Sequence, residues 1–387
     1  MMDFTLTDEQ RALQETARRF AEAELPALAA EVERTAEPVP HDWTARYAAM
    51  GFLGINTAEA HGGLGLPLLD ALLVLEEFAK ISVGVAFPVF ECCTGPVRIV
   101  EAYGSEALKA RVMPAMLRGE MLVAITMSEP DAGTALTDLR TTARIEGDEI
   151  VIDGTKRWCS GAGHSEGYVV FCRFDGVPGA KGVGAVFVDR DTAGLSFGKA
   201  ERLMGFRGVP SADMTFEAVR VPRDHLLVPA GGFPKLMGLF NIERLGNATM
   251  ALGVAAGALE QVTAYVQERR QFGKSIVDFQ AVQIRLAEMA MKVEAARLLI
   301  HRAAANAGTG LPDPREASLA KCFANEMTRE VTGAAMQLMG GYGYACEYGM
   351  EQRFRDSFGW GIAGGAIDIQ KVNIAASLVG RRFSQRG

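Results

Sequence analysis

The sequence predicts an α+β chain in three parts: an N-terminal all-α domain over residues 1–122, a middle β domain over 123–232 and a C-terminal four-helix bundle over 233–387. Two observations carry that expectation. The spacing of apolar residues switches from three-and-four to two near Val123 and back again near Phe233. The chain is also long enough for two or three domains, with 387 residues of which 49% are hydrophobic and 22% charged, so neither disorder nor a coiled coil fits.

In the first part Leu13, Ala17, Phe20 and Leu25 follow helical spacing, and Thr7 with Gln10 reads as a capping box. His61-Gly62-Gly63-Leu64-Gly65 is neither a GxGxxG after a strand nor a GxxxxGK, so it reads as a turn between helices. Asp70 to Ile81 continues as a helix. The stretch that holds Pro88, Cys92, Cys93 and Pro96 is unusually apolar, which suits core packing or the wall of a substrate pocket. In the middle part, β-branched runs at Thr141–Ile145, Glu149–Ile152, Tyr168–Arg173, Ala185–Asp189 and Met214–Val221 are separated by turn residues such as Gly147 and Gly154. In the last part, helical runs cover Asn241–Gln271, Phe279–Gly308, Arg315–Met339 and Gly365–Arg381, lengths that suit a four-helix bundle. Breaks fall at Gly308–Pro314 and at Gly340-Gly341-Tyr342-Gly343.

Composition narrows the function. Forty Lys and Arg against 47 Asp and Glu give a net charge of −7, and no basic run offsets it, so a small molecule is expected as partner rather than nucleic acid. No uninterrupted apolar run reaches the length of a membrane span, and Met1-Met2-Asp3-Phe4 opens without the basic residues of a signal peptide. A cytoplasmic protein with no membrane partner is expected. The six cysteines show no CxxC spacing and are expected as reduced, mostly buried thiols. Five scattered histidines without ligand spacing give no metal site.

Several motifs occur together: Ile125-Thr-Met-Ser-Glu-Pro-Asp-Ala-Gly-Thr134, Asp153-Gly-Thr-Lys-Arg-Trp158, Glu268-Arg-Arg-Gln-Phe-Gly-Lys274, Gln337-Leu-Met-Gly-Gly341-Tyr-Gly and Arg355-Asp356. In that order the chain resembles the acyl-CoA dehydrogenase family along nearly its whole length. The resemblance implies an N-terminal α-helical domain, a middle β-barrel or sandwich and a C-terminal four-helix bundle. It also implies FAD, oxidation of an acyl thioester between its α and β carbons in fatty acid or amino acid catabolism, an electron-transfer flavoprotein as acceptor, and a homo-oligomer, a tetramer by expectation.

By the same resemblance Ile125, Met127, Ser128, Gly133, Thr134, Trp158 and Ser160 contact FAD. Backbone N–H groups and hydroxyls of the loop suit flavin carbonyls and a phosphate, and the Trp158 face suits the ring system. Arg269, Gln271 and Phe272 would reach the FAD of a neighbouring subunit, and Gln337 and Gly341 its adenine half. Substrate contacts fall to Thr134, Arg244 and Phe87.

Most of the family carries its catalytic Glu in a Tyr-Glu-Gly-Thr motif soon after Arg-Asp. Counting from Arg355-Asp356, that position is Gly364, within Ala363-Gly364-Gly365-Ala366. In a branch like isovaleryl-CoA dehydrogenase the base precedes an Arg on another helix, and Asn241-Ile-Glu243-Arg244 matches that place. Glu243 is thus the expected α-proton-abstracting base for hydride transfer to flavin N5. The plainer alternative makes it a helix-surface carboxylate paired with a cation. Gly364 keeps a backbone N–H, which the family uses with a flavin ribityl hydroxyl to polarise the substrate carbonyl. The open space at Gly364 and Gly365 suggests a branched or cyclic acyl group. Ala366, Asp368 and Phe279 depart from common FAD contacts, so none is assigned there.

Two other activities compete. A non-oxidative desulfinase like 3-sulfinopropionyl-CoA desulfinase shares the Ala-Gly-Gly sequence, but carries an Arg near the position of Phe87. A desaturase of an acyl or prolyl group on a carrier protein uses the same helix base, so the thioester carrier is CoA or an acyl-carrier protein.

Overall fold

The computed structural model describes residues 5–381 and 383. The N-terminal part is helical: α1 (Asp8–Thr35), α2 (His41–Ala49), α3 (Leu68–Ile81), α4 (Val83–Cys93), α5 (Val97–Tyr103) and α6 (Glu106–Leu117). The expected capping box is present, with Gln10 N–H donating to Thr7 Oγ1 and the Gln10 amide answering the Thr7 N–H. The segment Val83–Tyr103 has the length and mean hydropathy of a membrane span, contrary to the sequence expectation. Its residues 83–100 are buried and it is split between α4 and α5, so it forms the core under the pocket.

Eight strands follow: β1 (Val123–Thr126), β2 (Thr142–Glu146), β3 (Glu149–Ser160), β4 (Gly167–Phe174), β5 (Val183–Asp189), β6 (Leu195–Phe197), β7 (Ser211–Pro222) and β8 (Leu226–Val228). They form one sheet in the order β6-β7-β3-β2-β4-β5-β8, with β1 paired parallel to β4. The two-residue period sorts β4 between two cores. Tyr168, Val170 and Cys172 join an apolar cluster confined to the β part, while Val169 and Phe171 join the cluster that runs through the helices. The sheet is thereby docked onto the helical parts along one face. The short strands β6 and β8 lacked enough alternation to be read from sequence.

The C-terminal part holds α7 (Phe233–Glu268), a hairpin of β9 (Arg270–Gln271) and β10 (Lys274–Ser275), α8 (Gln280–Ala307), α9 (Pro314–Met339), the short helices α10 (Gly341–Tyr344), α11 (Met350–Asp356) and α12 (Gly359–Ile362), and α13 (Ile367–Val379). Helix α7 starts ahead of the expected Asn241 because Pro234 in its first turn preorganises the helix. It stops at Glu268, short of the expected Gln271, where Arg269 turns extended and leads into the hairpin. Helices α3, α8 and α9 pack on α7, so that its middle is buried on most sides. Five cysteines are buried and Cys346 is exposed, all free. Among the described residues no cluster of His, Cys, Asp and Glu could hold a metal.

Candidate active site

A cavity of about 1790 Å³ opens between the three parts of the chain. Its wall gathers Phe87, Ile125, Met127, Ser128, Gly133, Thr134, Trp158, Ser160, Glu243, Arg244 and Gly364, so the first group of sequence-derived site residues converges on one space.

The loop after β1 is pinned from beneath. Lys156 on β3 is completely buried and donates to Glu129 Oε1 at 2.9 Å and to the Met127 carbonyl at 3.0 Å. Glu129 also accepts from the backbone N–H groups of Arg140 at 2.6 Å and Thr141 at 2.9 Å. Burial opposes the charge on Glu129, but the Lys156 ammonium and these donors hold its carboxyl below the ordinary value. A buried ion pair with every oxygen engaged fixes the backbone that carries Ser128, Gly133 and Thr134.

Trp158 is not a core residue. It is 53% exposed, at φ +60°, with the Arg157 guanidinium 4.3 Å above its ring. A bulky residue held in the left-handed region is uncommon, and here it turns a broad aromatic face to the groove. A side chain at Gly133 would meet nothing within 4 Å, so the loop backbone is open to close approach. An aromatic platform, an open loop and nearby hydroxyls fit a flavin.

The other cofactor residues lie elsewhere. Arg269, Gln271 and Gly341 line a separate cavity of about 590 Å³ with Tyr265 and Tyr342, where the Arg269 guanidinium lies 5.5 Å from the Tyr342 ring. Phe272, at the hairpin tip, is 93% exposed, and Gln337 is exposed on α9. The residues expected to contact the cofactor are thus split between two separate regions of the chain.

At the centre of the large cavity, Glu243 on α7 meets the loop between α12 and α13. Gly364 has φ +63°, and a Cβ built on it would lie 3.8 Å from Glu243 Oε1, 3.1 Å from Lys321 Nζ and 3.2 Å from Asn247 Nδ2. The Glu243 carboxyl thus reaches the space beside the loop position from which the customary Glu is missing. It lines the cavity and is buried there, in contrast to the helix-surface carboxylate of the plainer alternative. Burial raises its pKa to about 8, against the opposing pull of Lys321 and Arg244. Arg244 forms part of the wall: one of its terminal nitrogens donates to Asn241 Oδ1 at 2.5 Å, and its buried Nε has no protein partner.

Lys321 on α9 is completely buried and donates to the carbonyls of Ala363 and Gly364, both at 2.6 Å. Asn247 donates to the Ala363 carbonyl at 3.5 Å and accepts from Asn325 at 3.1 Å. These contacts hold the loop by its oxygens. The Gly364 N–H, by contrast, donates to no acceptor among the described residues, as an oxyanion donor requires.

Sequence reasoning passed over Lys321, Asn247, Asn325 and Glu91. A signal existed for Lys321 and Asn325, because they share with Ala317, Ala320, Ala324 and Thr328 the buried stripe of α9. Glu91 is the only charged residue of the apolar helix α4.

Three family profiles match the chain: the acyl-CoA dehydrogenase N-terminal domain at residues 7–120, the middle domain at 124–219 and the C-terminal domain at 230–379. A probable acyl-CoA dehydrogenase, fadE25, of Mycobacterium leprae is 35% identical over 97% of both chains. A 3-sulfinopropanoyl-CoA desulfinase of Variovorax paradoxus is 36% identical over 99% of this chain and 97% of its own. Among solved structures, the butyryl-CoA dehydrogenase of Megasphaera elsdenii superposes with a TM-score of 0.93 at 31% identity, covering 98% of this chain and 100% of the other. With a cavity that suits a flavin, three domains in the family order and relatives that match end to end, the chain belongs to the acyl-CoA dehydrogenase family of FAD-dependent oxidoreductases.

Proposed function

We propose that the protein oxidises an acyl thioester between its α and β carbons, with Glu243 as the base that removes the α-proton. One observation carries the reading: the Glu243 carboxyl stands against Gly364, on the wall where the thioester carbonyl would meet a free backbone N–H. A carboxylate in a low-dielectric pocket is poorly solvated and therefore a stronger base than in water, matched to a weakly acidic C–H. The Gly364 N–H, held in place through the Lys321 bonds to the loop carbonyls, takes the carbonyl oxygen as negative charge develops on it. Ser128, Thr134, Trp158 and Ser160 line the cofactor groove. FAD bound there supplies the acceptor for the β-hydride. Phe87, Phe90 and Trp360 exclude water from the acyl group.

The two separate regions support a shared cofactor, in which Arg269, Gln271, Phe272, Gln337 and Gly341 of one subunit complete the groove of another. Exposed apolar side chains on the bundle, among them Ile284, Met291 and Leu298 of α8, supply a surface for a homotetramer. We assign the acyl carrier as CoA, the electron acceptor as an electron-transfer flavoprotein and the location as the cytoplasm.

The test is direct. Anaerobic mixing of the yellow holoenzyme with its saturated thioester bleaches the flavin, and Glu243→Gln abolishes bleaching while FAD stays bound. Bleaching that survives the substitution removes Glu243 from the role. A second reading, elimination of sulfinate without net oxidation, is favoured by the kinship with the desulfinase. It would show as sulfite release with the flavin left oxidised. Phe87, an apolar side chain in the pocket wall where that relative is expected to carry an Arg, argues against this second reading.

A further inference from the structure

Glu91 has no task in the chemistry above. It is the single acidic or basic side chain on a helix otherwise made of Val, Gly, Ala, Phe, Pro and Cys, one turn beyond Phe87 and next to Phe90. It is 5% exposed and lines the large cavity. Its Oε2 is buried without a hydrogen-bond partner. Burial pushes its carboxyl well above the usual range, and the neighbouring Glu243 carboxyl adds to the shift.

Among the described residues no cation pairs with it, and Arg244 on the same wall acts on Glu243 instead. Lys321 is committed to the Ala363 and Gly364 carbonyls, and Arg98 to the Asn56 carbonyl, Thr57 and Glu101. The indole Nε1 of Trp360, whose ring lies 4.8 Å from that of Phe90, is also buried and unpartnered. Buried polar groups are almost always satisfied, and an unsatisfied one in a cavity wall points to a group that arrives with the ligand. A pocket for a plain hydrocarbon chain would gain from an apolar residue at this position.

We propose that the acyl group this enzyme takes carries a hydroxyl or an amine close to its reacting carbons, and that Glu91 accepts its hydrogen bond while Phe87, Phe90 and Trp360 cover the carbon skeleton. This rests on the dehydrogenase reading and narrows its substrate. A hydroxyl satisfies Glu91 by donating to its carboxyl oxygen. An ammonium satisfies Glu91 by holding its carboxyl ionised.

The experiment measures the second-order rate constant of anaerobic flavin reduction in the holoenzyme with butyryl-CoA, 4-hydroxybutyryl-CoA and 4-aminobutyryl-CoA. The hydroxy or the amino thioester is expected to exceed butyryl-CoA at least tenfold. Glu91→Leu should lower that ratio at least tenfold. Glu91→Gln, whose amide oxygen still accepts, should keep a hydroxyl preference and lose an amine preference. FAD content and melting temperature of Glu91→Leu are expected at or above wild type, since an unpartnered carboxyl is removed. Butyryl-CoA reacting as fast as the polar thioesters, or a ratio unmoved by Glu91→Leu, overturns the proposal alone. Failure of every thioester to bleach the flavin overturns the dehydrogenase reading and this proposal with it.

Discussion

The pH dependence of flavin reduction follows from the surroundings of Glu243. Proton abstraction needs the carboxylate, and burial raises the group to about 8 while Lys321 and Arg244 pull the other way. With that value, about one carboxyl in eleven is ionised at pH 7 and about ten in eleven at pH 9, a gain of roughly tenfold. The sign is fixed because the charged form is the base: the rate constant for flavin reduction rises with pH. The assay is stopped-flow absorbance at saturating thioester between pH 6 and 9.5, with Glu243→Gln as the control that has no carboxyl to titrate. The wild type should rise about tenfold between pH 7 and 9 and then level, and the Gln variant should stay flat and at least about a hundredfold slower, the usual contribution of a positioned base. A profile already level at pH 6 would refute the reasoning outright.

The same burial has a consequence for stability. A carboxyl whose folded value lies above its unfolded one favours the folded state below the unfolded value and loses that contribution as pH rises toward 8, so Glu243→Gln should melt increasingly above wild type from pH 5 to pH 9, by on the order of a few kcal/mol at most. Gly364→Ala places a Cβ 3.1 Å from Lys321 Nζ at φ +63°, and should cost about 1–3 kcal/mol and slow flavin reduction, both measurable by denaturant melts and stopped flow. Lys156→Met leaves the buried Glu129 unpaired; an equilibrium melt should show a loss of about 3–5 kcal/mol, with FAD released on gel filtration. Trp158→Ala removes a side chain that is 53% exposed, so the apoprotein should melt within about 0.5 kcal/mol of wild type while FAD affinity falls.

Periodicity made the three-part layout legible because helices and strands of this length repeat their pattern many times. It failed where a few residues decide the outcome. Helix α7 ends at Glu268 because the hairpin at 270–275 needs Arg269 extended, and Asn241–Gln271 reads as continuous helix without that knowledge. The cofactor motifs were found by resemblance, but their division between two cavities is a property of the folded chain. Lys321 was legible in principle as a cation on an apolar stripe. Its two carbonyl partners sit more than forty positions away in sequence, beyond the reach of local pattern.

The loop and the helix base constrain each other. At φ +63° the backbone at 364 suits glycine, and a side chain there would press on Lys321 and Asn247 before reaching the pocket. Those two residues hold the loop by its carbonyls, and that grip leaves the Gly364 N–H free for a substrate oxygen. Without a side chain on the loop, the space beside it admits the Glu243 carboxyl from α7. A base anchored on a 36-residue helix buried among α3, α8 and α9 is held more firmly than one on a loop of two glycines. The base and the oxyanion donor thus come from different elements that meet at Gly364, and any change that bends the loop disturbs both together.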